Sequence, residues 1–471
     1  MDSNIIEIYS SKEIALEKLN DIYNKDSIII VLKSDQYLEN VISIGFCINK
    51  EFFHFPVDDN KEFWLQKIID IIEQKELKVY SYDIKYLFSV FLKNNINIER
   101  IDLFKDVSFY LYDMFGNNTP LFYENIFNIT DVEPIETSYM KHYDSQFKFD
   151  NFPNQVLTEK ELDEQVRTEL KIIFRLINSF KFRKADYIDL YNLASYYYAH
   201  IENTGFKIDH KAIDKHGYSN ISKYFSDYNE GEHFAKAKWN FDRTSTGRLS
   251  SKFHNFPKKY SDIIVPRHTD GVLMGLDFTA FEFKTLLAYL EVKFEEDDPY
   301  EYIASQTRYN RSAIKNTMIK YIYGSSEIDY FVLKKLKEVF DIDKKLNLLI
   351  INARKTKSIT TPHGRIIKYK EESEVNRKAV NNIIQNMATY YITYVTSIIT
   401  NILKKEENGL QGSNVIATVY DEIILDIHPE HIDFIKANII KWIDSIDKIK
   451  NPYVKFIPKI TIGKNLAELK K

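Results

Sequence analysis

The chain has 471 residues, 44% of them hydrophobic, which is enough for two or three domains around a large core. Its 64 Lys and Arg against 68 Asp and Glu leave a formal net charge of −4, which excludes a uniformly basic nucleic-acid coat. The lone Cys47 excludes an internal disulfide framework, no apolar run could cross a bilayer, and the opening MDSNIIEIYSSKE does not read as a secretory signal.

Residues 27–57 carry two apolar runs, SIIIVL and NVISIGFCI, and then the short EFFHFPV, all with strand character. The spacing predicts a helix over 61–75, a strand at KVYSY and a helix at IKYLFSVFLKNN, so 1–115 should be α/β. A domain boundary is expected in the polar, proline-containing stretch 130–157. From 158 to 204 the periodicity is helical, with Gly205 as a terminator. Between Gly231 and Tyr260 lie Lys236, Lys238, Arg243, Arg248, Lys252, Lys258 and Lys259 against only Glu232 and Asp242. Such a belt is either a polyanion track or a solvated surface. Residues 271–276 form a buried strand leading into Asp277, 311-RSAIKNTMIKYIYG-324 reads as a helix, and a longer helical segment starts near Arg377. The strands NVIATV and IILDI flank Tyr420-Asp421-Glu422, and a helix and a strand complete the chain.

Two acidic sites interrupt apolar strands. Asp277 ends one, while Asp421 and Glu422 sit at a tight turn between two others. Either alone is ordinary turn chemistry. Together, carboxylates that meet across a sheet can hold two Mg2+ ions, with Mn2+ as an alternative, and leave coordination positions for phosphates. Two such metals activate an attacking oxygen and stabilise a leaving one in phosphoryl transfer. The helix at 311 supplies a counterpart. Arg311, Lys315, Ile319 and Tyr323 fall four apart, a stripe about 18 Å long. Arginine grips a terminal phosphate bidentately, lysine offers a compact charge nearer the reacting phosphorus, and Ile319 and Tyr323 would meet the sugar and base. The stripe has the length and chemistry of a nucleoside triphosphate.

The segments 246-TGRLSS-251, 277-DFTAFEFK-284, 311–324, 377-RKAVNNIIQ-385 and 420-YDE-422 together resemble, in order, the family A (polymerase I-like) DNA polymerases across roughly 195–471. Weaker likenesses are 254-HNFP-257, 364-GR-365 and 458-PKITIGKNLAEL-469. The resemblance implies an α/β RNase H-like (exonuclease-like) domain at 1–150 and a helical connector with reduced thumb at 151–245. An α+β right-hand polymerase domain would follow, with palm 246–295, fingers 296–360 and palm 361–471. It also implies metal binding by Asp277, Asp421 and the Phe278 carbonyl, with Glu422 close by. Arg311 and Lys315 would grip the triphosphate, Tyr323 would lie beside the templating base, and Glu282 would be a steric gate against a 2′-hydroxyl. Arg248, His254, Asn255, Arg377, Asn381, Gln385 and Tyr420 would contact primer–template DNA, where donors test pair geometry through minor-groove acceptors common to all base pairs. Outside that context Arg377, Asn381 and Gln385 would pass for an exposed helix face. The implied partners are primer–template DNA, dNTPs and a processivity or replisome protein, with no membrane. The expected state is a monomer in bacterial or phage-infected cytoplasm, or in an organellar matrix.

Three departures from the family pattern stand out. Ile319 replaces a ring that stacks on the incoming sugar, Tyr420 replaces a histidine before the catalytic Asp, and Tyr300 replaces a histidine or glutamine near the triphosphate. Only about forty residues separate Gly205 from Arg248, too few for a long helical thumb, so weak duplex grip and low processivity are expected. In the amino-terminal domain Leu32, Ser34, Leu87 and the segment Glu164–Thr168 stand where an exonuclease carries its acids. Asp35, Asp83 and Asp106 remain out of pattern, so that domain is expected to be inactive. Two other readings compete: a single-subunit RNA polymerase-like enzyme, which Glu282 and TGRLSS oppose, and a non-catalytic DNA-binding or replisome scaffold, which the intact acids and cations oppose.

Overall fold

The computed structural model describes residues 8–9, 12–21, 26–34, 41–48, 51–56, 61–115, 159–179, 182–241, 244–325 and 327–470. The chain divides into two compact units, Met1–Asn203 and Thr204–Lys471.

The first unit is built on a six-stranded sheet in the order Ile8–Tyr9, Glu51–Pro56, Val41–Ile48, Ser27–Ser34, Lys78–Ser81, Phe104–Asp106. Ser27–Ser34 pairs antiparallel with Val41–Ile48 on one side and parallel with Lys78–Ser81 on the other. The run IIIVL is apolar at every position because both faces are covered. Ile28, Ile30 and Leu32 join a core with the helices Lys61–Gln74 and Ile84–Lys93, while Ile29 and Val31 pack with Val166, Leu170 and Ile173 of the helix Glu159–Ser179. Gly45 permits that second approach, since a Cβ there would overlap the Val166 side chain.

The helix Glu159–Ser179, assigned above to a connector at 151–245, supplies core to the first unit, and the division falls after Asn203. The proposed boundary stretch 130–157 lies outside the described residues.

The second unit centres on a four-stranded antiparallel sheet in the order Asn414–Val419, Glu422–Ile427, Val272–Phe278, Pro458–Gly463. The 33-residue helix Glu372–Lys404 lies against it, with Thr396 and Thr418 hydroxyls 3.2 Å apart. Phe278, Phe281, Tyr391 and Phe456 form an aromatic cluster under the functional end of the sheet, with centroid separations of 4.3–6.0 Å. In chain order the helices Pro299–Ser305, Arg311–Ile322, Tyr330–Phe340 and Asp343–Thr356 come between Val272–Phe278 and the long helix. From Gly205 to Arg248 the described α-helices are only His210–His216 and Tyr218–Ile221. Among the described residues no helix is long and apolar enough to cross a membrane.

Candidate active site

Asp277 is the sixth residue of Val272–Phe278 and the first exposed one after a buried run. Its register partner is Glu422 on one side and Lys459 on the other. The Phe278 N–H donates to the Asp421 carbonyl at 3.1 Å, so the backbone brings Asp277, Asp421 and Glu422 to one end of the sheet. Asp421 lies in the two-residue connection between Val419 and Glu422, whose other member, Tyr420, holds a left-handed φ of 58°. A non-glycine residue there costs on the order of 1 kcal/mol, so the surrounding packing must impose the turn.

Burial dominates the electrostatics at this end of the sheet. Burial, and then the charge of Asp277, push the Asp421 carboxyl up to about 6. Burial pushes Glu422 up to about 7, with Asp277 and Asp421 adding to the rise and Lys470 opposing it. Three hard-oxygen donors that repel one another are a donor set suited to divalent cations of the Mg2+ type.

Tyr420 is clamped. The Arg248 guanidinium lies 4.1 Å from its ring centroid, and the His254 ring is 4.9 Å away. His254 Nε2 and Trp239 Nε1 both donate to the Thr418 carbonyl, at 3.1 and 2.8 Å. Burial, and then Arg248, lower the pKa of His254, which favours the neutral ring. The TGRLSS loop bearing Arg248 is held from beneath: Arg365 Nη2 donates to the Thr244 carbonyl at 3.2 Å and Asn386 Nδ2 to the Thr246 carbonyl at 2.8 Å.

Arg311–Ile322 starts cleanly because the Asn310 side chain accepts the Ala313 N–H at 2.9 Å. It buries Ile314, Thr317, Met318 and Ile322 and leaves Lys315 exposed and Arg311 and Ile319 part-exposed, so the stripe lies off the packed face. Arg311 donates through Nε and Nη2 to one Asp298 oxygen, at 2.9 and 2.7 Å, and lies 3.5 Å from Glu301. Tyr300 is 2% exposed, packed on Phe283, with the Arg311 guanidinium 5.5 Å from its ring. Tyr300 therefore backs the arginine and does not present an open hydrogen-bonding tip. At the helix's other end the Tyr323 hydroxyl donates to Glu282 at 2.9 Å and accepts from Gln385 Nε2 at 3.1 Å. Three elements are thereby linked: the helix Phe281–Leu290, the end of the stripe helix, and Glu372–Lys404.

Of the other nominated residues, Arg377 and Asn255 are exposed, and Asn381 is half-buried with its Oδ1 lacking a hydrogen-bond partner. The sequence motifs do not mark Asp298, Trp239 or Asn386. Asp-Pro before a helical run at 298–299 is a legible cap signal, and Asp298 does accept the Tyr300 N–H at 2.8 Å; nothing local marks its second role on Arg311.

In the first unit the residues singled out from the sequence lie as follows. Leu32 and Leu87 are core residues, 4% and 2% exposed. Between the strand positions, Lys33 is buried against Glu169 at 2.5 Å. Asp83 caps Ile84–Lys93, and the buried Asp106 accepts from the backbone N–H groups of Asp83, Ile84 and Ser108. Asp35 lies outside the described residues.

No family model and no curated protein matches this sequence. The structure is similar to the "POL domain of Pol1 from M. smegmatis complex with DNA primer-template and dNTP", with a TM-score of 0.68 over 98% of this chain and 99% of that one, at 12% identity. At that identity the likeness concerns the fold, and the fold is that of a polymerase domain.

Proposed function

We propose that this chain is a template-directed DNA polymerase that adds dNMPs to a primer 3′ end. The observation that carries the reading is that the backbone brings Asp277, Asp421 and Glu422 to one end of the sheet, where burial opposes carboxylate charge that two divalent ions would stabilise. Asp277, Asp421 and the Phe278 carbonyl would hold those ions, which when bound supply Lewis-acid activation of the primer hydroxyl and charge neutralisation on the phosphates. Arg311 binds the terminal phosphate after exchanging Asp298 for it, and Lys315 neutralises charge nearer the reaction. Glu282, held by Tyr323, closes the space under the sugar against a 2′-hydroxyl, and Ile319 lines the sugar with less contact than a ring would give. Arg248 over Tyr420, together with His254, Asn255, Arg377, Asn381 and Gln385, reads the geometry of the terminal pair through groove acceptors.

The mixed sheet of the first unit supports an exonuclease-like scaffold, and the apolar Leu32 and Leu87 at two of the positions where an exonuclease carries acids support the absence of proofreading. The short helices after Gly205 support a reduced thumb and low processivity. A single-subunit RNA polymerase is the competing reading, and the gate at Glu282 disfavours it. Primer extension with Mg2+, comparing dNTPs with rNTPs for the wild type and Asp277→Ala, tests the proposal. Template-directed dNMP addition that disappears in the variant supports it; equal use of rNTPs, or extension that survives in Asp277→Ala, defeats it.

A further inference from the structure

A second cluster of metal-ligating side chains lies at the opposite end of the same sheet. Val272 pairs with Ile427 there, five residues from the Asp277–Glu422 pair and so about 17 Å along the strands. Three turns meet at that end: the one before Val272 carrying His268, the one before Asn414 carrying Gly412 and Ser413, and Pro429–His431 after Ile427. His428, Glu430 and His431 each place a ligand atom within 4.8 Å of the others. The His268 ring lies 4.6 Å from His428, and His431 lies 5.0 Å from His428.

The imidazoles are oriented. His268 Nε2 donates to the Gly412 carbonyl at 3.1 Å. The Ser413 hydroxyl oxygen accepts the His428 backbone N–H at 3.0 Å and bonds His431 Nδ1 at the same distance, while His428 Nδ1 accepts the Glu430 backbone N–H at 3.4 Å. His431 thus has one ring nitrogen fixed by a neighbour and the other left for a ligand, as metal-binding histidines usually do. His428 and His431 are part-buried, whereas Glu430 is exposed and can swing inward. Zinc–nitrogen bonds of about 2.0 Å set tetrahedral ligands roughly 3.3 Å apart, so the cluster must contract by only about 1.5 Å at its widest. Hydrogen bonding alone explains the ring orientations; it leaves unexplained why an acid joins two imidazoles within a four-residue turn beside a third.

We propose that His428, Glu430 and His431, with His268 alongside, bind one borderline divalent cation of the Zn2+ type that staples the three turns together. Nitrogen donors select this ion over the Mg2+ that an all-oxygen site prefers. The role is structural, since the cluster is remote from Asp277.

The test uses the full chain stripped of metal and kept in millimolar Mg2+, so that the oxygen-rich end is filled. Zn2+ is titrated by calorimetry, and Co2+ is followed by visible absorption. One ion per chain should bind with a dissociation constant on the order of micromolar and raise the melting temperature. His428→Ala/His431→Ala should weaken binding by about 100-fold and Glu430→Gln by about 10-fold, while Asp421→Asn leaves it intact. Glu430→Gln alters an exposed side chain and keeps the test valid if the double variant fails to fold. The proposal is overturned if wild type and Glu430→Gln bind Zn2+ equally, if loss follows Asp421→Asn, or if the wild type shows no such site.

Discussion

Asp421→Asn separates stability from function at the acidic strand end. Burial, with Asp277 next in effect, raises the Asp421 carboxyl from its ordinary 3.8 to about 6. At 1.36 kcal/mol per unit the gross cost of ionising it in the fold is about 3 kcal/mol, and partial access to water reduces this to about 1–2 kcal/mol. The sign follows from proton linkage. Below about pH 4 the carboxyl is protonated in folded and unfolded chains alike, and the cost is nil. As pH rises toward 6 the unfolded chain ionises first, stability falls, and the loss persists above pH 6. The asparagine variant carries no such cost. In EDTA at pH 8 it should melt about 2–6 °C above the wild type, and the gap should close near pH 4. Millimolar Mg2+ should stabilise the wild type more than the variant, reversing or erasing the difference. Primer extension by the variant should fall by about 1,000-fold, the equivalent of several kcal/mol of lost metal-assisted stabilisation. A variant less stable than the wild type at pH 8 in EDTA would refute the burial argument.

Other perturbations probe separate parts of the site. Gly324 has a φ of 67°, and a Cβ there would overlap the Arg377 carbonyl oxygen, so Gly324→Ala should lower the melting temperature by about 3–10 °C through backbone strain and clash. Arg311→Ala should raise the KM for dNTP by about 10–100-fold in steady-state incorporation, as expected for a lost charge-assisted phosphate bond; an unchanged KM would remove Arg311 from the nucleotide site. Glu282→Ala should relax discrimination against rNTPs by at least about 10-fold in matched incorporation assays, and unchanged discrimination would move the gate elsewhere. Processivity measured with a trap should give short products per binding event, and long ones would show that the duplex is gripped by other means.

The local features of the sequence were legible where one physical cause acts alone. The all-apolar IIIVL run follows from burial on both sheet faces, and the off-core placement of Arg311, Lys315 and Ile319 follows from helical period. The strand-breaking acids mark Asp277, Asp421 and Glu422 in the sequence, but the register that pairs Asp277 with Glu422 is specified by neither segment alone. Contacts between distant segments were not legible. The Asp298 carboxylate reads as a helix cap, and its hold on Arg311 exists only because the two helices fold together. Tyr300 reads as a polar tip, yet its ring is packed beneath that arginine. The helix Glu159–Ser179 reads as a linker because its partner strands lie more than a hundred residues earlier.

The most direct measurement is anomalous diffraction from crystals of a ternary complex with primer–template and a dNTP, soaked in Mn2+. Two peaks a few ångströms apart between Asp277 and Asp421, with the triphosphate spanning from them to Arg311, are the predicted result. An acidic strand end that binds no ion, or a triphosphate seated away from Arg311 and Lys315, would contradict it.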